Sequence, residues 1–288
     1  MSKKDTKIIS IINMKGGVSK TTLCKEIGFH LSHVKGKKVL LVDIDPQANL
    51  TQSMFRKFGY KAKGEIQTAG NQTYEETEKS ISYLFTNGKT KKFNKDKVTL
   101  KLTDSLDLIP GTLGTDFVAR KINSADMEQS LYNYFYYNEE SGMHEYDYIL
   151  FDCPPTYSEY TVAAMLPSHY YLIPVNPDSY SVLGIQMLEK VIKHIESNNP
   201  IYFQNKKLKN MGVVFTKIAR KPEKGVLDLI ENIKKSERLK KLGITFFESP
   251  FRINSKLTKE MDYLIDLGGS NLSKVNLEVI VSELEGRL

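Results

Sequence analysis

The stretch Ile8-Ile9-Ser10-Ile11-Ile12-Asn13-Met14-Lys15-Gly16-Gly17-Val18-Ser19-Lys20-Thr21-Thr22 decides the architecture. Its first five residues form a short, continuous, branched run, as a strand covered on both faces requires. A glycine-bearing loop follows and opens into Leu23, Ile27, Leu31 and Val34, which share one helix face, with Gly36 as the stop. Strand, loop and helix N-terminus together make an anion site. Loop amides point inward, the helix dipole favours negative charge, and Lys20 reaches the phosphates. Thr21, directly after that lysine, is placed to ligate Mg2+. The strict pattern G-x-x-x-x-G-K-[ST] is not satisfied, because its two glycine positions hold Met14 and Ser19. If Ser19 needs a positive φ, serine adds strain there.

Further apolar runs of the same style occur at Val39–Val42, Leu106–Ile109, Tyr148–Phe151, Tyr170–Val175, Gly212–Phe215 and Ile244–Phe247. Strand and helix alternate, which predicts an α/β fold: a doubly wound, mostly parallel sheet with helices on both faces. We read residues 1–288 as one domain. A polar, lysine-rich excursion runs from about 56 to 103, with a short helix at Ile81–Phe85. The cluster Tyr132, Tyr134, Tyr136 and Tyr137 reads as a helix laid on the sheet.

Hydrophobic residues make up 40% and charged residues 26% of the chain, a globular balance. No run approaches the ~18 apolar residues of a membrane span, and Ile8–Ile12 is too short for a signal-peptide core. Cys24 and Cys153 stand far apart without metal-ligand spacing, so a reducing, cytoplasmic setting is expected. The net charge is +7, but Gln204–Lys241 alone holds 12 Lys/Arg against 4 Asp/Glu, a local +8. A second basic cluster runs from Lys89 through Lys91, Lys92, Lys95 and Lys97 to Lys101. Such clusters attract a phosphate backbone or an anionic membrane, or merely form a solvated face.

Two acidic motifs complete the pattern. Asp43-Ile44-Asp45-Pro46-Gln47-Ala48-Asn49 leaves the second strand, where carboxylates of a parallel sheet meet ligands; by itself, such a pair also suits a turn. Tyr148-Ile149-Leu150-Phe151-Asp152-Cys153-Pro154-Pro155 is an apolar strand ending in an aspartate suited to support Mg2+ through water. Cys153 reads as a packed residue rather than a nucleophile.

Lys15-Gly16-Gly17-Val18-x-Lys20-Thr21, with its second lysine at the start, resembles the deviant Walker A motif of the ParA/MinD superfamily. Asp43–Asn49 and Asp152–Pro155 are similar to that superfamily's other ATPase motifs. Ile173–Pro177 with Gly184 resembles the strand and loop lining its active site. The likeness spans Ile8 to about Met261 and is nearest to the ParA (Soj-like) partition ATPases. It implies a nucleotide site of Lys15, Gly16, Gly17, Val18, Ser19, Lys20, Thr21 and Thr22, with Thr216 and Pro250 at the adenine. It also implies a catalytic Asp45 that positions water, and a Lys15 that reaches the nucleotide of the opposite subunit. Thr21 and, through water, Asp152 would hold the metal, with Asp43 behind them.

The implied cycle is ATP- and Mg2+-driven homodimerisation, non-specific binding of double-stranded DNA, and hydrolysis stimulated by a ParB-like centromere-binding protein. That would place the protein on the nucleoid in the cytoplasm. The expected DNA face is Lys217, Arg220, Lys221, Lys234, Lys235, Arg238 and Arg252. The loop begins too near Met1 for a preceding helix-turn-helix, so the small form is expected. A membrane- or protein-positioning ATPase resembling MinD is the alternative. However, the tail Val275–Leu288 sets Glu278, Glu283 and Glu285 against Arg287, which disfavours anionic lipid. An iron-sulfur reductase lacks its cluster cysteines, and a tyrosine kinase its tyrosine-rich tail. A non-hydrolysing switch stays open.

Overall fold

The computed structural model describes residues 5–65, 73–86, 93–112 and 123–288. Lys89, Lys91 and Lys92 of the second basic cluster lie outside the described residues, as does part of the 56–103 stretch.

Ten strands are described: β1 (Lys7–Ile11), β2 (Val39–Asp43), β3 (Tyr60–Ala62), β4 (Glu75–Thr77), β5 (Leu100–Lys101), β6 (Leu106–Ile109), β7 (Tyr148–Asp152), β8 (Tyr170–Val175), β9 (Lys209–Ile218) and β10 (Phe251–Arg252). Eight form one sheet in the order β10-β9-β8-β1-β7-β2-β6-β5, parallel throughout except for the antiparallel edge pair β5–β6. The chain winds outward from β1 in both directions, so the crevice at its C-terminal end is the topological switch point where α/β sheets bind ligands. The 56–103 stretch is not wholly an excursion: β5 joins the sheet edge, and β3 and β4 form a parallel pair of their own.

Alternation along the strands feeds two cores. Ile8, Leu40, Ile149, Phe151 and Ile173 pack with helices α3 (Ser82–Thr86), α4 (Ser124–Tyr137), α5 (Glu159–Met165) and α6 (Ser181–Asn198). Ile9, Ile11, Leu41 and Leu150 face the other way. They meet helix α1 (Lys20–His33), helix α2 (Asn49–Phe58) and the C-terminal helix Asn271–Gly286, which buries Leu277, Ile280, Val281 and Leu284. Gly28 of α1 lies so close to the sheet that a Cβ there would come 2.5 Å from Leu41 Cδ2. The predicted strand Ile244–Phe247 forms only a bridge, Val213 to Phe246. Arg287 takes over its edge, donating to Met211 O (2.7 Å), Thr245 Oγ1 (2.8 Å) and Phe246 O (2.7 Å), with its guanidinium 4.2 Å from the Phe247 ring centre.

Helix α1 also carries buried charge. Glu26 Oε2 accepts the Ile265 N–H at 2.8 Å, while Oε1 has no hydrogen-bond partner. Burial pushes this carboxyl up to about 7 against the pull of Lys25. One turn on, His30 meets Asp266 through Nδ1 (3.0 Å) and Glu278 through Nε2 (2.9 Å). These contacts fasten α1 to the last part of the chain.

Candidate functional site

Register assembles the site. Parallel pairing sets Ile11 opposite Asp152 and Asp43 opposite Asp152, so three strand ends converge where the Lys15–Thr22 loop begins. Asn13 stitches the loop in place: its Nδ2 donates to Pro174 O (2.8 Å) and its Oδ1 accepts the Lys15 N–H (2.9 Å). The loop needs left-handed backbone at Gly17 (φ +72°) and at Ser19 (φ +67°), so the strain anticipated at Ser19 is present. Among the described residues the non-glycine residues with positive φ are Ser19, Ala48 and Lys217. Ser19 and Lys217 line the principal pocket, and Ala48 lies between its lining residues Gln47 and Asn49. Strain of this kind collects where a site must be preshaped.

That pocket encloses about 590 Å³ over the loop. Gly16, Gly17, Ser19, Lys20, Thr21, Thr22 and Asp45 line it. Lys20 is 6% exposed and its Nζ donates to Lys15 O at 3.1 Å. Burial lowers its pKa, opposed by Asp152, Cys153 and Asp45. Asp45 Oδ1 accepts the Gln47 N–H (2.9 Å). Asp43 Oδ2 takes both the N–H and the hydroxyl of Thr51 (2.7 Å each), leaving Oδ1 without a partner.

Both Asp152 oxygens are buried without a hydrogen-bond partner. Burial, and then the charge of Asp43, push the Asp152 carboxyl well above the usual range, with Thr21 and Lys20 pulling it back. The two Asp152 oxygens, close to Lys20 and Thr21, and Asp43 Oδ1 on the paired strand are what a cation would satisfy. Among the described residues no group of three or more His, Cys, Asp or Glu forms a metal cage of its own. A divalent ion here would therefore draw on Thr21 and on ligand oxygens. Cys24 and Cys153 are free and buried.

Other expected residues fall elsewhere. Lys15 does not line the pocket; its ammonium pairs with Asp178, which Tyr180 N–H (3.0 Å) and Ser181 Oγ (3.0 Å) hold in place. Val18 is buried. Thr216 is also buried: it pairs with Phe251 across the strands and donates its hydroxyl to Val18 O (3.1 Å), so its side chain offers nothing to an adenine. Pro250 gives its carbonyl to Asn276 (2.9 Å) and does not line the pocket. Their successors Lys217 and Phe251–Asn254 line it instead.

The anticipated DNA residues divide. Lys217 and Arg252 belong to the pocket wall, and Arg252 Nη1 is committed to Ala219 O (3.1 Å). Arg220 donates to Ser270 Oγ (3.1 Å). Lys221, Lys235 and Arg238 are exposed and Lys234 half-buried, with Lys235 paired to Glu231 (3.5 Å). Sequence reasoning missed Lys25, Ser53, Leu257 and Met261, which complete the wall together with Gln47, Asn49 and Pro155 of the acidic motifs. Lys25 stands next to Glu26 in α1, in a helix that also carries Lys20 and His30, so its charge gave no distinct signal. Its Nζ donates to Ser53 Oγ (3.1 Å) and to Tyr263 O (2.8 Å).

A doubly wound sheet whose first strand feeds a lysine-bearing phosphate loop, with unpartnered carboxylates on neighbouring strand ends, defines a P-loop nucleotide-binding protein. The AAA domain family AAA_31 matches residues 6–209. Among curated relatives, an uncharacterized protein of Methanocaldococcus jannaschii is 31% identical over 214 residues, 74% of either chain. Sporulation initiation inhibitor protein Soj of Bacillus subtilis is 28% identical over 234 residues, 80% of this chain and 79% of that one. A virulence plasmid ParA family protein of Chlamydia psittaci is 28% identical over 211 residues, 73% of this chain and 69% of its own. Of solved structures, a plasmid partition protein of Borrelia burgdorferi bound to AMPPNP superposes with TM-score 0.70 at 22% identity, covering 99% of this chain and 100% of that one. An ATP complex of Cyanothece McdA gives 0.70 at 18%, covering 98% and 97%. The chain belongs to the AAA_31 family and, with it, to the ParA/MinD superfamily of deviant Walker A proteins.

Proposed function

We propose that the protein is a ParA-type ATPase that uses Mg-ATP to form a sandwich dimer, binds double-stranded DNA without sequence preference, and hydrolyses ATP when a ParB-like partner stimulates it. The observation that carries this reading is the pair of buried Asp152 oxygens without a hydrogen-bond partner, close to Lys20 and Thr21, which line the pocket.

Loop amides and Lys20 hold the triphosphate, and Gly16 and Gly17 let the backbone approach it. Mg2+, when bound, neutralises charge on the phosphate oxygens. Thr21 and Asp152 are the residues to hold it, Asp152 through water and backed by Asp43. Asp45, fixed by the Gln47 amide, orients the attacking water in line with the γ-phosphoryl group. Lys15, exposed at the rim on its Asp178 tether, is positioned to leave that pair for a partner's nucleotide. Lys221, Lys234, Lys235 and Arg238 supply the DNA contacts, joined by Arg220 beside Ser270, with Lys217 and Arg252 bordering the nucleotide. The C-terminal helix is packed into the core through Leu277, Ile280, Val281 and Leu284, which argues against the MinD-like alternative of a membrane-seeking tail. Among the described residues no helix is long and apolar enough to cross a membrane.

The test is retention on random-sequence duplex DNA with ATP, with ADP and without nucleotide, across a salt series. The expected result is ATP-dependent retention, steeply lost with salt and absent in Lys15→Ala and Lys20→Ala. Equal failure in all three states, with ATP binding confirmed, overturns the DNA reading.

A further inference from the structure

The basic segment Gln204–Lys241 does not form one surface. Strand β9 carries the chain from Lys209 at one end of the sheet to Lys217 at the other. Lys206, Lys207 and Lys209 therefore sit at the end remote from the phosphate loop. There they meet Lys7, at the start of β1, around a cavity of about 360 Å³ that Asp5, His169, Tyr170 and Asn205 also line. Four ammonium groups face one carboxylate, and Asp5 is already paired with Lys7 at 2.5 Å. Among the described residues Lys206, Lys207 and Lys209 have no carboxylate partner within salt-bridge distance.

Lys206 is built in. Its Nζ donates to Leu166 O (2.6 Å) and Ser168 O (3.1 Å) and lies 5.4–5.7 Å from the ring centres of Tyr136, Tyr132 and Phe203. Two members of the tyrosine cluster of α4 thus cap a lysine, stacked on each other at 4.5 Å. Two donor bonds leave the ammonium a third hydrogen. Lys209 lies 5.7 Å from the Tyr170 ring centre. His169 accepts the Ile8 N–H on Nδ1 (3.2 Å) and meets the Tyr136 hydroxyl through Nε2 (2.9 Å).

We propose that the cavity bounded by Lys7, Lys206, Lys207 and Lys209 is a second anion site, separate from the phosphate loop, that takes a compact free polyphosphate group. The lysines surround a single hollow instead of lining a ridge, which suits a compact anion better than an extended backbone. The local field is already positive. Burial, then Lys206 and Lys7, depress His169 to about 4, and burial lowers Lys206 to about 8. A bound anion would offset that desolvation.

The experiment is isothermal titration of inorganic tripolyphosphate, in Mg-free, low-salt buffer, into the wild-type chain and into Lys20→Ala. Saturable one-site binding that survives in Lys20→Ala, and weakens at least tenfold when Lys207→Ala and Lys209→Ala are added to it, is the expected result. Absence of saturable binding in Lys20→Ala overturns the proposal, as does binding indifferent to the added pair. A parallel titration with duplex DNA identifies the other outcome. If duplex binding alone responds to Lys207→Ala and Lys209→Ala, these side chains touch a DNA backbone and the small-anion site is refuted. Neither result depends on ATP turnover, so failure here leaves the partition reading standing.

Discussion

Replacing Ser19 with glycine should stabilise the protein. Ser19 stands at φ +67°, ψ +30° before helix α1 and makes no side-chain capping bond, so the hydroxyl contributes nothing that glycine would forfeit. An L-residue in this region costs about 1–2 kcal/mol. Glycine restores freedom to the unfolded chain worth about 0.4–1 kcal/mol. The net gain is about 0.5–1 kcal/mol, which for a chain of this size raises Tm by about 1–2 °C. Gly17 supplies the opposite sign. At φ +72°, with nothing within 4 Å of a built Cβ, Gly17→Ala carries the conformational penalty alone and should lose a similar amount. Ser19→Ala keeps the strained backbone and should stay within about 0.5 kcal/mol of wild type. Nucleotide-free chains compared by denaturant midpoint and thermal unfolding give the answer. A lower midpoint for Ser19→Gly, or a higher one for Gly17→Ala, refutes the argument that backbone strain governs this loop.

Glu26→Gln tests the buried carboxyl. Because its folded pKa is raised to about 7 from 4.5, the native state holds the extra proton. Its stabilising effect is complete below about pH 4.5 and lost as pH rises through 7. The variant, still able to accept the Ile265 N–H, should match wild type near pH 4.5 and exceed it by roughly 1–3 kcal/mol at pH 8, read from denaturant midpoints. A constant gap across pH would rule out the titration. Arg287→Ala removes the clamp on Met211, Thr245 and Phe246 together with the Phe247 stack. It should cost about 2–4 kcal/mol in urea unfolding; a loss below about 0.5 kcal/mol would mean that backbone pairing alone holds the 244–247 bridge.

The central strands were legible because burial on both faces demands unbroken apolar runs, as at Val39–Val42 and Tyr148–Phe151. Edge strands β5 and β10 have two residues each, too few to show any period. The run Ile244–Phe247 looked like a strand, but lies beside Arg287, whose side chain donates to Phe246 O in place of a neighbouring backbone N–H. Within the pocket, residues contiguous with the loop or at strand ends could be read directly. Lys25, Leu257 and Met261 could not, since only the packing of α1 against the chain's last third brings them together. Thr216 misled because its strand position buries the side chain while its neighbour Lys217 turns outward.

The length of β9 has a consequence for how this molecule meets its surroundings. Ten residues at about 3.3 Å each separate its two basic ends by roughly 30 Å. Screening at physiological ionic strength decays over about 8 Å. Each lobe of positive potential is thus felt locally and independently of the other. Neither end adds appreciably to the pull that an anion feels at the other. Encounters at either end proceed in parallel, and orientation is decided only by short-range contacts after capture.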